Sequence, residues 1–403
     1  MSTMSPSEVR GLFPATGRAS YLNAAASSPI ALPVEKAVVD HYREGVESGD
    51  LHFEAWLRRR EEVRARLARF IGASSRDVAF VGSTSWGFHF AARLLQQRGV
   101  NEVVTLEGEF PATTVPFLHL GFQLRVVRRR SDGSFSLEDI AAAVGPHTGA
   151  IAASAVQFAS GFRLDLAGVS SLCRDRGLIF ALNAAQALGQ VPIDVSAIGA
   201  DFLCAPSHKW LMGGYGVGLF YARSEMLDGV DLPAAGWLSV DKPWAMDALA
   251  GARIAPAAPG EHWFEARGVG VRREVPALEI GSHPFGPILG VGAALEIQEG
   301  VGMTTIERHN AVLQTFLRQG LRTRGFRPNA PDEPSRYAGI CVFGVEGNAS
   351  RVARGLASKG IVLSARGGGL RVATHVFNTE DDVERLLSAL DAEGIRPGPE
   401  QQR

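Results

Sequence analysis

Cysteine and lysine are both scarce in this chain, and neither sign of charge dominates it. Three cysteines (Cys173, Cys204 and Cys341), odd in number and widely spaced, exclude a disulfide scaffold. No C-x-x-C or H-E-x-x-H segment occurs, so no structural or protease-type zinc site is expected and no metal is called. The 41 Lys and Arg against 42 Asp and Glu leave a net charge of −1, which excludes a global basic field for nucleic acid or anionic membrane. The opening MSTMSPSEVRGLFPATGR holds no apolar core of signal-peptide length. No run of about 18 uninterrupted apolar residues is present, so no transmembrane helix and a cytoplasmic location are expected. No internal repeat or low-complexity tract is found. The only lysines are Lys36, Lys209, Lys242 and Lys359. A lysine inside a motif therefore stands out.

What is there is ordinary for a globular protein of more than one domain. The 403 residues suggest two or three units at roughly 150 residues each. Phe53–Phe70 has apolar residues at helical spacing: Phe53, Trp56, Leu57, Val63, Leu67 and Phe70. Asp77–Val81 reads as a strand and Trp86–Gln96 as the helix after it. Further strands are predicted at 102–106, 122–127, 149–156, 178–182, 201–204 and 216–221, with a helix over 165–176. Continuous apolar strands alternating with helices predict a mostly parallel sheet covered on both faces. Residues 228–270, rich in Gly, Ala and Pro, read as a loop-rich connection. Helices are expected at 287–298 and 304–322, strands at 339–345 and 370–374, and a last helix from Thr379, whose acidic first turn follows a hydroxyl cap. The division expected is an N-terminal segment 1–20, a large domain 21–259 and a smaller α/β domain 260–403.

Three segments carry chemistry. In Asp201-Phe-Leu-Cys-Ala-Pro-Ser-His-Lys209-Trp-Leu-Met-Gly-Gly-Tyr-Gly-Val-Gly218 a strand leads into a polar turn, a lone lysine and a glycine-rich stretch. That pattern suits a desolvated Schiff-base lysine, though a surface lysine at a turn fits this segment equally well. In Leu178-Ile-Phe-Ala-Leu-Asn183-Ala-Ala-Gln186 a polar residue ends an apolar strand, where open parallel sheets place ligands; Asn183 also suits a helix cap. In Val81-Gly-Ser83-Thr84-Ser85-Trp86 three hydroxyls stand at a strand-to-helix turn, a ready phosphate site or ordinary capping. There is no Walker pattern, and Gly290/Gly292 lack the third glycine of a dinucleotide fingerprint.

Other motifs stand in order around these: Tyr21-Leu-Asn23-Ala-Ala25, Ser154–Leu166, Asn183–Asp194, Ser207-His208-Lys209-Trp210 and Leu370-Arg371 through Thr379. Together, over nearly the whole chain, they resemble the class V aminotransferase family of pyridoxal-phosphate enzymes of fold type I. That family includes cysteine desulfurases, isopenicillin-N-epimerase-like and kynureninase-like proteins. The resemblance implies an α/β fold with a mostly parallel seven-stranded sheet and a smaller C-terminal α/β domain. It implies pyridoxal 5′-phosphate on Lys209, with Ser83, Thr84, Ser85 and His208 around the phosphate. Ser282 matches a position that reaches the phosphate of a neighbouring subunit, which implies a homodimer with shared active sites. Gln186 matches the partner of the cofactor's phenolic oxygen, and Phe110, where the family often has histidine, matches the residue stacked on the ring. Arg371 matches the arginine that forks onto a substrate α-carboxylate. Arg366 is the candidate for a second acidic group, and Asn23 and Ala25 lie on the substrate side.

Two departures bear on the chemistry. Asn183 stands where the family usually has aspartate, and a neutral amide stabilises a protonated ring nitrogen less. Transamination is then weakened, and β-elimination or epimerisation gains. No cysteine occupies Arg366-Gly-Gly-Gly-Leu-Arg371, where desulfurases carry their nucleophile, so persulfide chemistry is disfavoured. The expected protein is thus a class V aminotransferase-family enzyme acting on an amino acid or small amine-bearing metabolite. The alternative is an epimerase or a C–S or β-eliminating lyase. A weakly catalytic binding protein is less well supported, because Lys209, Gln186 and Arg371 are all retained.

Overall fold

The computed structural model describes residues 4–240, 243 and 270–398. A short strand β1 (Ser20–Tyr21) precedes a central sheet of seven. Its strands are β2 (Val78–Val81), β3 (Glu102–Leu106), β4 (Gln123–Val127), β5 (Thr148–Ser154), β6 (Ile179–Asn183), β7 (Phe202–Pro206) and β8 (Gly218–Ala222). Their spatial order is β2-β8-β7-β6-β5-β3-β4. All neighbours pair in parallel except β8, which runs antiparallel to both β2 and β7. The inner strands are almost wholly apolar because both their faces are covered, whereas the edge strand β4 carries Gln123 and Arg125 and is largely exposed. In β6, Phe180 and Leu182 enter one core and Ala181 the other; in β7, Leu203 and Ala205 part from Phe202 and Cys204 in the same way.

The helix expected over 53–70 forms at Phe53–Phe70 and buries Trp56, Val63 and Leu67. The helix after β2 starts two residues before Trp86, at Thr84, because Ser83 caps it: its Oγ accepts from the Trp86 N–H at 3.4 Å. Helices Phe285–Val301 and Met303–Thr323 both extend beyond the expected spans. The first packs on Leu32–Ser48 and Phe53–Phe70. Leu32–Ser48 has no clear periodicity in the sequence. It buries only Val34 and His41 fully, while Leu32, Val39, Tyr42 and Val46 are exposed, so apolar residues occupy both sides of it. Of the loop-rich stretch 228–270, residues 241–242 and 244–269 lie outside the described residues.

Toward the C-terminus, β9 (Ile340–Phe343), β11 (Ser364–Arg366) and β12 (Gly369–Ala373) make an antiparallel sheet in the order β11-β12-β9. The intervening β10 (Ile361–Val362) pairs in parallel with β1. Leu370 and Val372 of β12 pack with Leu313, Leu317 and Leu321 and with Leu386, Leu387 and Leu390 of the last helix, Glu380–Ala392. Arg371, pointing the other way by the alternation of a strand, faces the central sheet. At the edge where β2, β3, β5, β6 and β7 all end and β8 begins, the chain turns through the motif segments. No described helix is long and apolar enough to cross a membrane. Among the described residues no group of three or more His, Cys, Asp or Glu is placed to hold a metal.

Candidate active site

A cleft of about 310 Å³ opens at those strand ends. It is lined by Ala25, Ser83, Thr84, Ser85, Phe110, Asn183, Gln186, His208, Lys209, Arg366 and Arg371, all singled out in the sequence, and also by Ala26, Ala112, Ser154, Phe158, Ala185 and Pro206. Asn23 and Ser282 do not line it. Asn23 forms a backbone bridge to Ala373, and its loop delivers Ala25 and Ala26 instead. Ser282 lines a separate groove with Trp86, Gly216 and His283.

Lys209 follows β7 on a tightly tied turn. Ser207 Oγ lies 2.6 Å from the carbonyl oxygens of both Gly214 and Val217, and the Met212 N–H donates to the Lys209 carbonyl at 3.0 Å. Met212 adopts φ of 60° without being glycine, a strained geometry that marks how closely this turn is specified. Upstream, the Ser28 N–H donates to the His208 carbonyl at 2.9 Å, which clamps the N-terminal loop onto the lysine segment. Lys209 Nζ has no carboxylate partner among the described residues and sits 5.5 Å from the centroid of Phe110, itself edge-on to Phe158 at 5.2 Å. Burial, reinforced by the Arg371 charge, lowers the Lys209 ammonium to about 8. His208 stacks on Tyr215, ring centroids 4.2 Å apart, and burial with Lys209 beside it lowers its imidazole to about 4. It is therefore neutral at pH 7. Arg371 donates from Nε to Ser364 Oγ at 3.2 Å and from Nη1 to the Phe158 carbonyl at 3.3 Å. Burial, then Arg366, lowers it to about 10, so it remains a cation.

The amides are oriented by groups that can only donate. Trp210 Nε1–H donates to Gln186 Oε1 at 2.8 Å, and Gln186 Nε2 donates to the Ala25 carbonyl at 3.0 Å, which leaves one Nε2 hydrogen. Asn183 Oδ1 accepts from the Ala185 N–H at 2.8 Å, and its Nδ2 donates to Thr113 Oγ1 at 2.7 Å. Behind the lining stands Glu109, which accepts from Ser154 and Gln157. Neither Glu109 nor Thr113 was singled out as a site residue. The only sequence signal was their position beside Phe110.

These residues suit a phosphorylated aldehyde. Three hydroxyls and the free N–H groups of the Thr84–Gln97 helix offer donors to a dianion, the lowered lysine offers an amine, and the Phe110 face offers a surface for a flat ring. A cleft of this kind at these strand ends, on this sheet, is that of a fold type I pyridoxal-phosphate enzyme.

The Aminotransferase class-V profile matches residues 20–241 and 260–386, and the chain belongs to that family. Its cofactor is pyridoxal 5′-phosphate. An uncharacterized aminotransferase of Bacillus subtilis (strain 168) is 25% identical, with 97% of this chain and 98% of that one covered. A cysteine desulfurase of Klebsiella pneumoniae is 29% identical, with 96% and 98% covered. The apo structure of a cysteine desulfurase from Thermococcus onnurineus superimposes with a TM-score of 0.84 at 24% identity, covering 98% of this chain and 99% of that one.

The lysine sets a pH dependence. Its folded value lies below the ordinary one, so the neutral amine that captures an aldehyde gains population as pH rises to about 8. Capture of pyridoxal phosphate by apo-protein, followed by absorbance, is expected to quicken roughly tenfold per pH unit below that point and level off above it. Arg371→Gln removes a repelling cation, and the break should then move upward.

Proposed function

We propose that the protein is a pyridoxal-phosphate-dependent lyase that eliminates a group from the β-carbon of an amino acid. The observation that carries this reading is Asn183, a neutral amide at the strand end where the ring nitrogen would lie. The bound cofactor supplies an electron-withdrawing ring conjugated with the substrate Cα. Against a neutral amide that ring holds less charge, which favours reactions whose charge departs with a leaving group over those that store it on the ring.

Arg371 binds the substrate α-carboxylate through the guanidinium N–H groups not used by Ser364 and Phe158. Ser83, Thr84, Ser85 and His208 hold the phosphate, Gln186 donates its remaining Nε2 hydrogen to the phenolic oxygen, and Phe110 covers the ring. Lys209 is the proton carrier at Cα. Among the described residues that line the cleft, its amine is brought to about 8, near neutrality, whereas His208 lies at about 4 and Arg371 at about 10. A single carrier suits elimination and does not suit a two-base epimerisation. The three cysteines are all buried and none lines the cleft, which also separates this chemistry from persulfide formation.

The test is incubation of holoenzyme with amino acids bearing a β-leaving group. Release of that group with ammonia and a 2-keto acid supports the lyase. A keto acid without ammonia, with the amine retained on the cofactor, would show a transaminase instead. Solvent deuterium at Cα without loss of substrate would show an epimerase.

Arg371→Gln is expected to lower kcat/KM about 10²-fold, chiefly through KM, because a charged bidentate contact is lost in a desolvated place. Arg366 is exposed, and its guanidinium donates to the adjacent Ala365 carbonyl at 2.9 Å. Arg366→Gln should change kcat/KM less than tenfold for substrates with one carboxylate and more for those with a second acidic group.

The working unit we propose is a homodimer. Leu32 (47% exposed), Val39 (43%), Tyr42 (62%) and Val46 (87%) line one side of their helix, and Ser282 lines a groove separate from its own cleft. Light scattering at micromolar concentration is expected to give twice the chain mass, and Tyr42→Glu with Val46→Glu to reduce it.

A further inference from the structure

The Asn183 amide ends a chain of hydrogen bonds that leads to a carboxylate. The Ala185 N–H can only donate, so the Asn183 atom 2.8 Å from it is the oxygen, and the nitrogen is the atom that donates to Thr113 at 2.7 Å. Thr113 is fully buried, and its oxygen is already accepting. Its one hydrogen is left for Glu109 Oε2, 3.3 Å away. Glu109 also accepts from the Ser154 N–H at 2.7 Å, the Ser154 hydroxyl and Gln157 Nε2 at 2.8 Å. Every one of these four partners is a donor, the geometry that suits an ionised carboxylate, and together they oppose the burial that holds the Glu109 carboxyl above its ordinary value.

We propose that Glu109, acting through Thr113, is a positioning residue for the cofactor ring. It locks the Asn183 amide in one orientation and polarises it with part of the negative charge that an aspartate at 183 would carry. All donors in the chain point the same way, from Asn183 to Thr113 to Glu109, so each bond strengthens the next and draws electron density toward Asn183 Oδ1. The neutral residue at 183 is thereby tuned from a distance. This inference rests on the placement of the ring nitrogen against Asn183.

The experiment reconstitutes apo-protein with pyridoxal phosphate carrying ¹⁵N in the ring and records the ring-nitrogen resonance. Wild type is compared with N183A, T113V and E109Q. N183A is expected to move the resonance. T113V and E109Q should each move it toward the position of an unprotonated ring, and the double variant no further than either alone, because both break one chain. T113V leaves Ser154 and Gln157 bonded to Glu109. If Glu109 merely braces those two residues, T113V is silent and the proposal is overturned. Should E109Q fail to fold, T113V alone decides the matter. If N183A also leaves the resonance unmoved, the ring placement falls and this inference with it; if N183A moves it while T113V does not, only the inference falls.

Discussion

Lys209→Ala is expected to reduce turnover by about 10⁴-fold or more, roughly 5.5 kcal/mol of transition-state stabilisation. Two losses combine, the covalent attachment of the cofactor and the proton carrier. Neither His208, at about 4, nor Arg371, at about 10, is matched to replace it near neutral pH. The fold should survive. Lys209 Nζ makes no ion pair among the described residues, and its contact with Phe110 is a cation–ring contact at 5.5 Å. Burial already works against its charge. Removing the amine therefore relieves a desolvated cation, and the melting temperature should stay level or rise. Borohydride treatment of wild type should fix the cofactor mass on the Lys209 peptide and fix none in the variant. Turnover of Lys209→Ala within tenfold of wild type would sink the assignment.

Glu279→Ala is expected to cost about 3–5 kcal/mol of stability, read from denaturant unfolding. Glu279 and Arg64 are paired almost without solvent, their side chains 4% and 1% exposed. Both Glu279 oxygens accept from Arg64 Nη1 and Nη2, and Oε1 also takes the Phe80 N–H at 2.7 Å. Truncation removes the buried counter-charge of the guanidinium, leaving it to the Val78 carbonyl and the half-exposed Glu61, and leaves a backbone donor of β2 unsatisfied. Glu61 reaches the same arginine from a half-exposed position, and Glu61→Gln should cost less than about 1 kcal/mol. Replacing both members, Arg64→Met with Glu279→Leu, should recover much of the loss, because the penalty belongs to a buried charge left without its buried partner. Full stability in Glu279→Ala would show that Arg64 finds other partners.

The inner strands of the central sheet, such as β6 and β7, were legible because they are buried on both faces and so almost wholly apolar. The Leu32–Ser48 helix was not, since its apolar residues face solvent as well as core. The site was legible where it depends on a side chain next to a strand end in its own segment, as with Ser83, Asn183 and Lys209. Ser282 was the opposite case. Its motif was visible, but within one chain it stands in a different groove from the lysine.

By itself the sequence determined the strand–helix alternation, the family, the cofactor and the residue types available to bind it, because these follow from local periodicity and from motifs in fixed order. Only the tertiary structure decided what those residues are worth. Lys209 becomes a weak acid near pH 8 because β7 and β12, from distant parts of the chain, enclose it and bring Arg371 close. Asn183 acquires a carboxylate at two hydrogen bonds' remove because the turn after β3 lies against the ends of β5 and β6. Desolvation and charge proximity are properties of enclosed space, and no stretch of sequence states them.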